Sequence, residues 1–432
     1  MSIERVIDIS KARPDLSELG SSGLKRHGGV IAEEFLKELQ GSRGAKIYAE
    51  MRDNDPVIGA ILFVVDMLLR GITWRVDPVD AAVAEDKSAA AFVASCMEDM
   101  SHTWSAFIGE VLTFLTYGWS FHEIVYKRRG GESDDPTKDS KYTDGKIGWR
   151  KIPLRAQTTL VQWDFDSAGG IQGMTQTAMP NYNRVTIPIE RALLFRTTCN
   201  KNSPEGHSIL RNAYRPWYFK KRIEEIEGIG IERDLAGLPF AAVPAAIMSP
   251  SASADEKAVY AAVKDIVINV RRNAQEGVVF PNLRDKDGNP LYEFKLLSTG
   301  GSRQFDTNAI IQRFDQRIAT TVLADFILLG SGKVGSYALS QDKTDLFTTA
   351  LTAWLREIKD VLNLFAAPRL LTLNSMQGQV RFEYSELRER NLTDVALYVK
   401  ELSAAGMPLF PDTRLETYLR SVANLPEAEA TE

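Results

Sequence analysis

A chain of 432 residues, 44% hydrophobic and 25% charged, is too long for one small module and too apolar for wholesale disorder, a collagen-like repeat or a disulfide scaffold. Against 57 Asp and Glu, its 52 Lys and Arg leave a formal charge of -5, the wrong sign for a protein that grips nucleic acid by neutralising phosphates. A conduit that only lets DNA pass is not excluded, since it gains from weak repulsion.

Residues 1 to 30 mix charge with Gly20, Gly23, Gly28 and Gly29 and show no sustained period. They read as a flexible arm, with order starting near Ile31. Asp55-Pro56 predicts a helix start, with Asp as N-cap and Pro in the first turn; Ile58, Ile61, Leu62, Val65, Leu68 and Leu69 follow at helical spacing until Gly71. The apolar run from Val57 to Leu69 contains Asp66 and falls short of the roughly 20 residues a membrane helix needs. With Glu4, Arg5 and Asp8 standing where a secretory signal would be apolar, the expectation is a cytoplasmic protein with no membrane partner. The two cysteines, Cys96 and Cys199, read as small buried hydrophobes in a reducing compartment.

A strand is predicted over Ile72 to Val76, helices over Asp86 to Met100 and Trp104 to Tyr117, with Gly118 closing the second. Trp119 to Arg128 alternates as one strand, and the polar stretch Gly130 to Gly145 reads as a surface loop. Strands are further predicted at Trp149 to Leu154, Leu160 to Phe165, Ile171 to Thr175, Val185 to Ile187 and Ala192 to Thr197, with Ala168-Gly169-Gly170 turning one hairpin. The first 200 residues are thus a mixed α+β unit.

From Ser208 to Leu235 apolar residues sit among dense charges of both signs, which predicts a long helix with two exposed faces. Ser253-Ala-Asp-Glu256 is a capping box opening another helix. Gly277 to Phe280 and Tyr292 to Leu297 read as strands around a turn at Asp285 to Asn289. Asp306 or Thr307 caps a second long helix through Ile327, ending at Gly330; a third runs from Leu346 and stops before Pro368. Two shorter helices over 391 to 424 meet near Gly406-Met-Pro408, and the acidic end, 426 to 432, reads as a disordered tail.

Catalytic patterns are scarce. The four histidines, His27, His102, His122 and His207, lack partners at metal-ligand spacing, and HExxH, CxxC and GxSxG do not occur. His122, inside an alternating strand, reads as structural. Gly330-Ser-Gly332-Lys333-Val-Gly335 matches GxGxxG in form. It lacks both the upstream glycine and the hydroxyl after the lysine that a P-loop needs, and a helical pattern rather than a strand precedes it. It reads as a connector between helices, in which glycine makes positive φ cheap and Lys333 offers one cation. The basic runs Lys127-Arg128-Arg129 and Lys220-Lys221-Arg222 read as solvated faces. The expectation is no enzyme, no cofactor and no metal.

Several segments, in their order and spacing, resemble the portal proteins of tailed bacteriophages, nearest the Mu-like branch. They are Tyr48-Ala-Glu-Met-Arg-Asp-Asn-Asp-Pro56, Trp74-Arg-Val-Asp-Pro78, Tyr117-Gly118-Trp-Ser-Phe-His-Glu123, Gly206-His-Ser-Ile-Leu-Arg211 and Ala405-Gly406-Met-Pro408. The resemblance implies an α+β, portal-type subunit. Its parts would be a wing over 31–203, a first stem helix over 204–237, a small α/β clip over 238–303 and a second stem helix over 304–329. A tunnel loop over 330–339, a long wing helix over 340–375 and a helical C-terminal crown over 376–425 would follow. Copies, usually twelve, would form a ring at one capsid vertex of the virion, assembled in the host cytoplasm. Double-stranded DNA would be packaged through it by the terminase large subunit and later ejected, with head-completion, adaptor and major capsid proteins as further partners. Twelve helices about 10 Å apart would leave a bore of about 28 Å, wide enough for a duplex of about 20 Å. Gly330, Gly332, Lys333 and Gly335 would then face the DNA. Two other readings stay open at this point, a nucleotide-binding enzyme using the Gly330 to Gly335 loop and a cellular scaffold protein.

Overall fold

The computed structural model describes residues 22–236, 238–269, 283–284, 286–297, 306–322, 337–387, 392–404, 415–416 and 419–420, with the single positions 279, 324, 407 and 412. It divides into two units, Met1–Ala213 with Ala319–Glu432, and Tyr214–Ile318. The predicted elements Gly277 to Phe280 and the second of the two C-terminal helices lie largely outside the described residues, as does the acidic tail.

In the first unit, local chemistry starts each element. The Asp55 carboxylate accepts from the backbone N–H of Val57 and Ile58, both at 3.0 Å, and opens the helix Pro56–Arg70. Ile58, Ile61, Val65 and Leu69 line its buried face. The predicted helix over 104–117 is two pieces, Trp104–Val111 and Thr113–Tyr117, broken at Leu112 and closed by Gly118 at φ +89°. A Cβ on Gly118 would lie 2.6 Å from the Gly206 carbonyl oxygen, so both the turn and the close approach require glycine.

The predicted single strand over 119–128 is divided between two sheets. Trp119–Glu123 pairs antiparallel with Ala192–Arg196 and with Leu154–Arg155, whereas Val125–Arg128 pairs with Ile147–Lys151. Leu160–Phe165, Ile171–Thr177 and Arg184–Pro188 form a further three-stranded antiparallel sheet. The arm is ordered earlier than expected. Arg26–His27 and Val30–Ile31 form a hairpin, the Arg26 guanidinium lies 4.1 Å from the Phe165 ring centre, and the Trp163 N–H donates to the Gly29 carbonyl.

The C-terminal half of this unit completes the core. The helix Tyr337–Val361 does not stop before Pro368. It passes through a π turn, Leu362–Ala366, into Ala367–Leu373. In that turn the Ala367 N–H donates to the Leu362 carbonyl, five residues back. Val380–Tyr384 then pairs antiparallel with Trp74–Pro78. Phe382 is fully buried, and the Trp104 ring stacks on it at 5.7 Å with 8° between planes; Trp149 and Phe107 join the cluster. Gly378 is required beside it, because a Cβ would lie 2.2 Å from the Glu85 carbonyl oxygen.

Expected outcome: Phe382→Ala, which empties the centre of this aromatic cluster, lowers unfolding stability by about 3–5 kcal/mol, read from urea denaturation of the first unit's tryptophan signal.

Candidate functional site

The second unit is bounded by two helices, Tyr214–Ala236 and Thr307–Thr321. Asp306 caps the latter through a 3.1 Å bond from the Ala309 N–H. Tyr214, Trp217 and Lys220 form a buried stripe at intervals of three. Lys220 Nζ lies 2.6 Å from the Asp315 carboxylate, Phe219 stacks on Phe314 at 6.5 Å, and the Thr307 hydroxyl donates to Glu227 at 2.5 Å. Residues 219–220 meet 314–315 while 227 meets 307, so the helices run antiparallel. On the outer side of Tyr214–Ala236, Ile226 and Ile229 are 67% and 51% exposed. Between the helices sits an insert in which Leu238–Ala242 pairs with Glu293–Leu297 and the helix Ala254–Asn269 follows its capping box. Ser253 N–H donates to Glu256 at 2.8 Å and the Glu256 N–H back to Ser253 Oγ at 3.3 Å.

The long helix predicted over Ser208 to Leu235 begins at Tyr214, six residues later than expected, because 206–213 turns instead: Ser208 Oγ donates to the Thr116 carbonyl and accepts from the Leu210 N–H. The helix predicted from Asp306 or Thr307 through Ile327 is described as Thr307–Thr321. Gly330, Gly332, Lys333 and Gly335 all lie outside the described residues.

Both basic runs differ from their expected solvated state. Along Val125–Arg128 and beyond, Lys127 and Arg129 point inward while Arg128 points out. Lys127 Nζ pairs with the Asp99 carboxylate at 3.1 Å and donates to the Asp99 and Asp139 carbonyls. Arg129 pairs with Asp144 at 3.1 Å, and its guanidinium carbon lies 3.9 Å from the centre of the Tyr142 ring. Burial opposes ionisation of Asp99. Bonds from the Ser140 hydroxyl, the Lys141 N–H and Lys127 outweigh it and hold the carboxyl below its usual range. The 130–145 loop is therefore tied down by buried ions, and the period-two position of Lys127 and Arg129 was the one signal for it.

His122 is structural, as expected. It is fully buried, hydrogen-bonded to the Ile152 carbonyl and Ser120 Oγ, and edge-on to Phe107 and Phe195. Burial drives its pKa down to about 3. Among the described residues there is no group of three or more His, Cys, Asp or Glu placed to hold a metal, and no helix long and apolar enough to cross a membrane. A cavity of about 260 Å³ is lined by Glu33, Glu34, Lys201, Glu205 and His207. Glu34 takes a two-point bond from Arg211, Glu33 pairs with Lys201, and Glu205 accepts from the Trp163 indole N–H at 3.0 Å. Burial pushes Glu205 up to about 7, partly offset by that indole bond.

The family described as the portal protein of Mu bacteriophage matches residues 45–419 of this chain. Among solved structures, the chain is similar to one from the neck of the empty gene transfer agent (GTA) particle, computed with C6 symmetry. The TM-score is 0.51 at 11% identity, covering 94% of this chain and 97% of that one. It is also similar to a chain from the virion of the native gene transfer agent particle, with TM-score 0.50 at 10% identity over 89% of this chain and 94% of that one. At such identities the likeness is one of fold.

For Glu205, whose folded pKa is raised, the neutral acid is the form the fold favours. Its contribution is present below about pH 4.5 and is lost as pH rises through about 7. Glu205→Gln is therefore expected to match the parent in melting temperature at pH 4.5 and to exceed it at pH 8.5, measured by scanning calorimetry.

Proposed function

The chain belongs to the portal protein family of Mu bacteriophage, and from that membership we propose that its copies close into a ring at one capsid vertex. Portal proteins are structural components of the phage head and not enzymes. On this reading double-stranded DNA is driven through the ring by the terminase during packaging, leaves through it on ejection, and the ring connects head to tail. Residues 31–203 are the wing, Tyr214–Ala236 and Thr307–Thr321 the described parts of the two stem helices, and the insert between them the clip. Gly330 to Leu339 is the tunnel loop, with Lys333 as its cation near DNA; 340–375 is the long wing helix and 376–425 the crown.

The observation that carries the ring is the outer row of Tyr214–Ala236. Ile226 and Ile229 stand more than half exposed on a helix whose opposite stripe is already buried. Covering the part of each that is still exposed yields about 1–2 kcal/mol, and the same row repeats on every copy. A cyclic assembly buries such a row against a different patch of the next copy and closes without leaving an open end. The charge of -5 suits a channel that DNA must slide through. The virion and neck particles named for the similar structures agree with this placement.

Negative-stain microscopy of the purified protein is expected to show rings with a central hole; assembled particles without a hole, or a monomer under assembly conditions, would sink the reading. Ile226→Glu combined with Ile229→Glu is expected to keep the helical content by circular dichroism and to lose rings. Lys333→Ala is expected to lower packaged DNA per particle with ring assembly intact, measured in an in vitro packaging reaction.

A further inference from the structure

The segment 24–40 lies as a strap against the smaller apolar core of the first unit. Its Ile31 is buried with Trp119, Phe121 and Trp163, and the Ala32 N–H donates to the Lys25 carbonyl at 2.8 Å. Two ion pairs clasp the strap to the two ends of the 200–211 segment, Glu33 to Lys201 and Glu34 to Arg211. Both pairs are partly exposed, so each contributes little by itself.

The 260 Å³ cavity is walled by the strap on one side and by the 200–211 segment on the other. A neighbouring cavity of about 360 Å³ shares Gln40, Gly41 and Glu205 with it, which places Glu205 between the two. Glu33, Glu34 and Glu205 put three carboxyls around the first cavity. Lys201 and Arg211 pair with two of them. Among the described residues no cation pairs with Glu205, whose carboxyl accepts from the Trp163 indole N–H. His207, Tyr48 and Tyr117 are the other titratable groups on that cavity, while Lys37 and Arg43 line the second from exposed positions. An ionised Glu205 therefore adds a third negative charge to an enclosed space that holds two positive ones. Trp163 carries that charge to the strap, because its backbone N–H donates to the Gly29 carbonyl at 2.8 Å while its indole holds Glu205.

The three acids differ in the way this arrangement requires. The Lys25 N–H, against burial and with help from Lys201, holds Glu33 below the usual carboxylate range. At Glu34 burial is outweighed by Arg211 and the Leu36 N–H, which hold it low as well. Glu205, pushed up to about 7, keeps its proton where the other two have lost theirs.

We propose that the strap 24–40 is a proton-controlled latch, seated while Glu205 is neutral and released from the sheet and from the 200–211 segment when Glu205 ionises. In the released form Glu205 meets water and returns to its ordinary 4.5, so the seated form holds a proton that the open form gives up. Closure weakens as pH rises from about 4.5 to about 7 and is level above that; the opening constant is about tenfold larger at pH 8 than at pH 6. The latch lies within the first unit and does not depend on the ring.

Hydrogen exchange of the full chain, read by mass spectrometry and corrected for the intrinsic pH dependence of exchange, tests the latch at the Ala32 and Trp163 amides. Protection there falls about tenfold from pH 6 to pH 8. It stays below that of Val380–Tyr384 and changes little in about 1 M urea, since opening a strap exposes little surface. Glu205→Gln, which keeps the size and cannot ionise, holds the pH 6 protection at pH 8. His207→Gln, which removes the imidazole from the same cavity, leaves the fall in place. Level protection in the parent overturns the proposal whatever the variants do. A fall that persists in Glu205→Gln, or vanishes in His207→Gln, overturns it too. Strap amides that match Val380–Tyr384 in protection and urea response open with the whole unit, and that result also sinks the latch.

Discussion

The antiparallel pairing of Trp74–Pro78 with Val380–Tyr384 is the constraint on which the first unit depends. The Thr73 N–H donates to Ser385 Oγ at one end of this ribbon, across 312 positions of sequence. At the other end the Asp86 carboxylate accepts from both the Asp80 and the Gln379 N–H, so one buried acid binds the two halves of the chain. Phe382 is carried by this pairing into the ring cluster of Trp104, Phe107 and Trp149. Because the early and late segments belong to one body, residues 214–318 form an insertion. An insertion leaves and returns to its parent, which is the topology an antiparallel pair of end helices supplies.

Buried ions specify what the apolar core alone leaves free. Lys127 with Asp99, Arg129 with Asp144 and Lys220 with Asp315 each place a nearly buried cation against a carboxylate. Such pairs contribute little net stability, since desolvation offsets attraction, yet loss of one partner is costly. Their effect is on register. The 130–145 loop has no apolar pattern to hold it, and the ion pairs set its course over the helix Ala84–Glu98. The Lys220 pair does the same for the two long helices of the second unit, where a slip of one turn would separate the charges.

Ile226 and Ile229 leave apolar surface uncovered on the helix Tyr214–Ala236, on the side away from the buried Tyr214, Trp217 and Lys220.

Features set by local physics could be read from residue order alone. The Asp55-Pro56 start, the Ser253 to Glu256 box, the Gly118 stop and the neighbouring strands from Leu160 to Pro188 rest on interactions between parts of the chain close in sequence, and each is legible in order. The existence of the two long helices of the second unit was legible too, from apolar spacing. Other features depend on contacts between segments far apart in the chain. The strand Val380–Tyr384 has its partner hundreds of positions away, the split of 119–128 into two sheets follows from which neighbour each half meets, and the helix continues across Pro368 by way of a π turn. Lys127, Arg129 and Lys220 look solvated in sequence because charge is assumed to seek water. They are buried because the fold brings a carboxylate to each, and that meeting is a property of three dimensions.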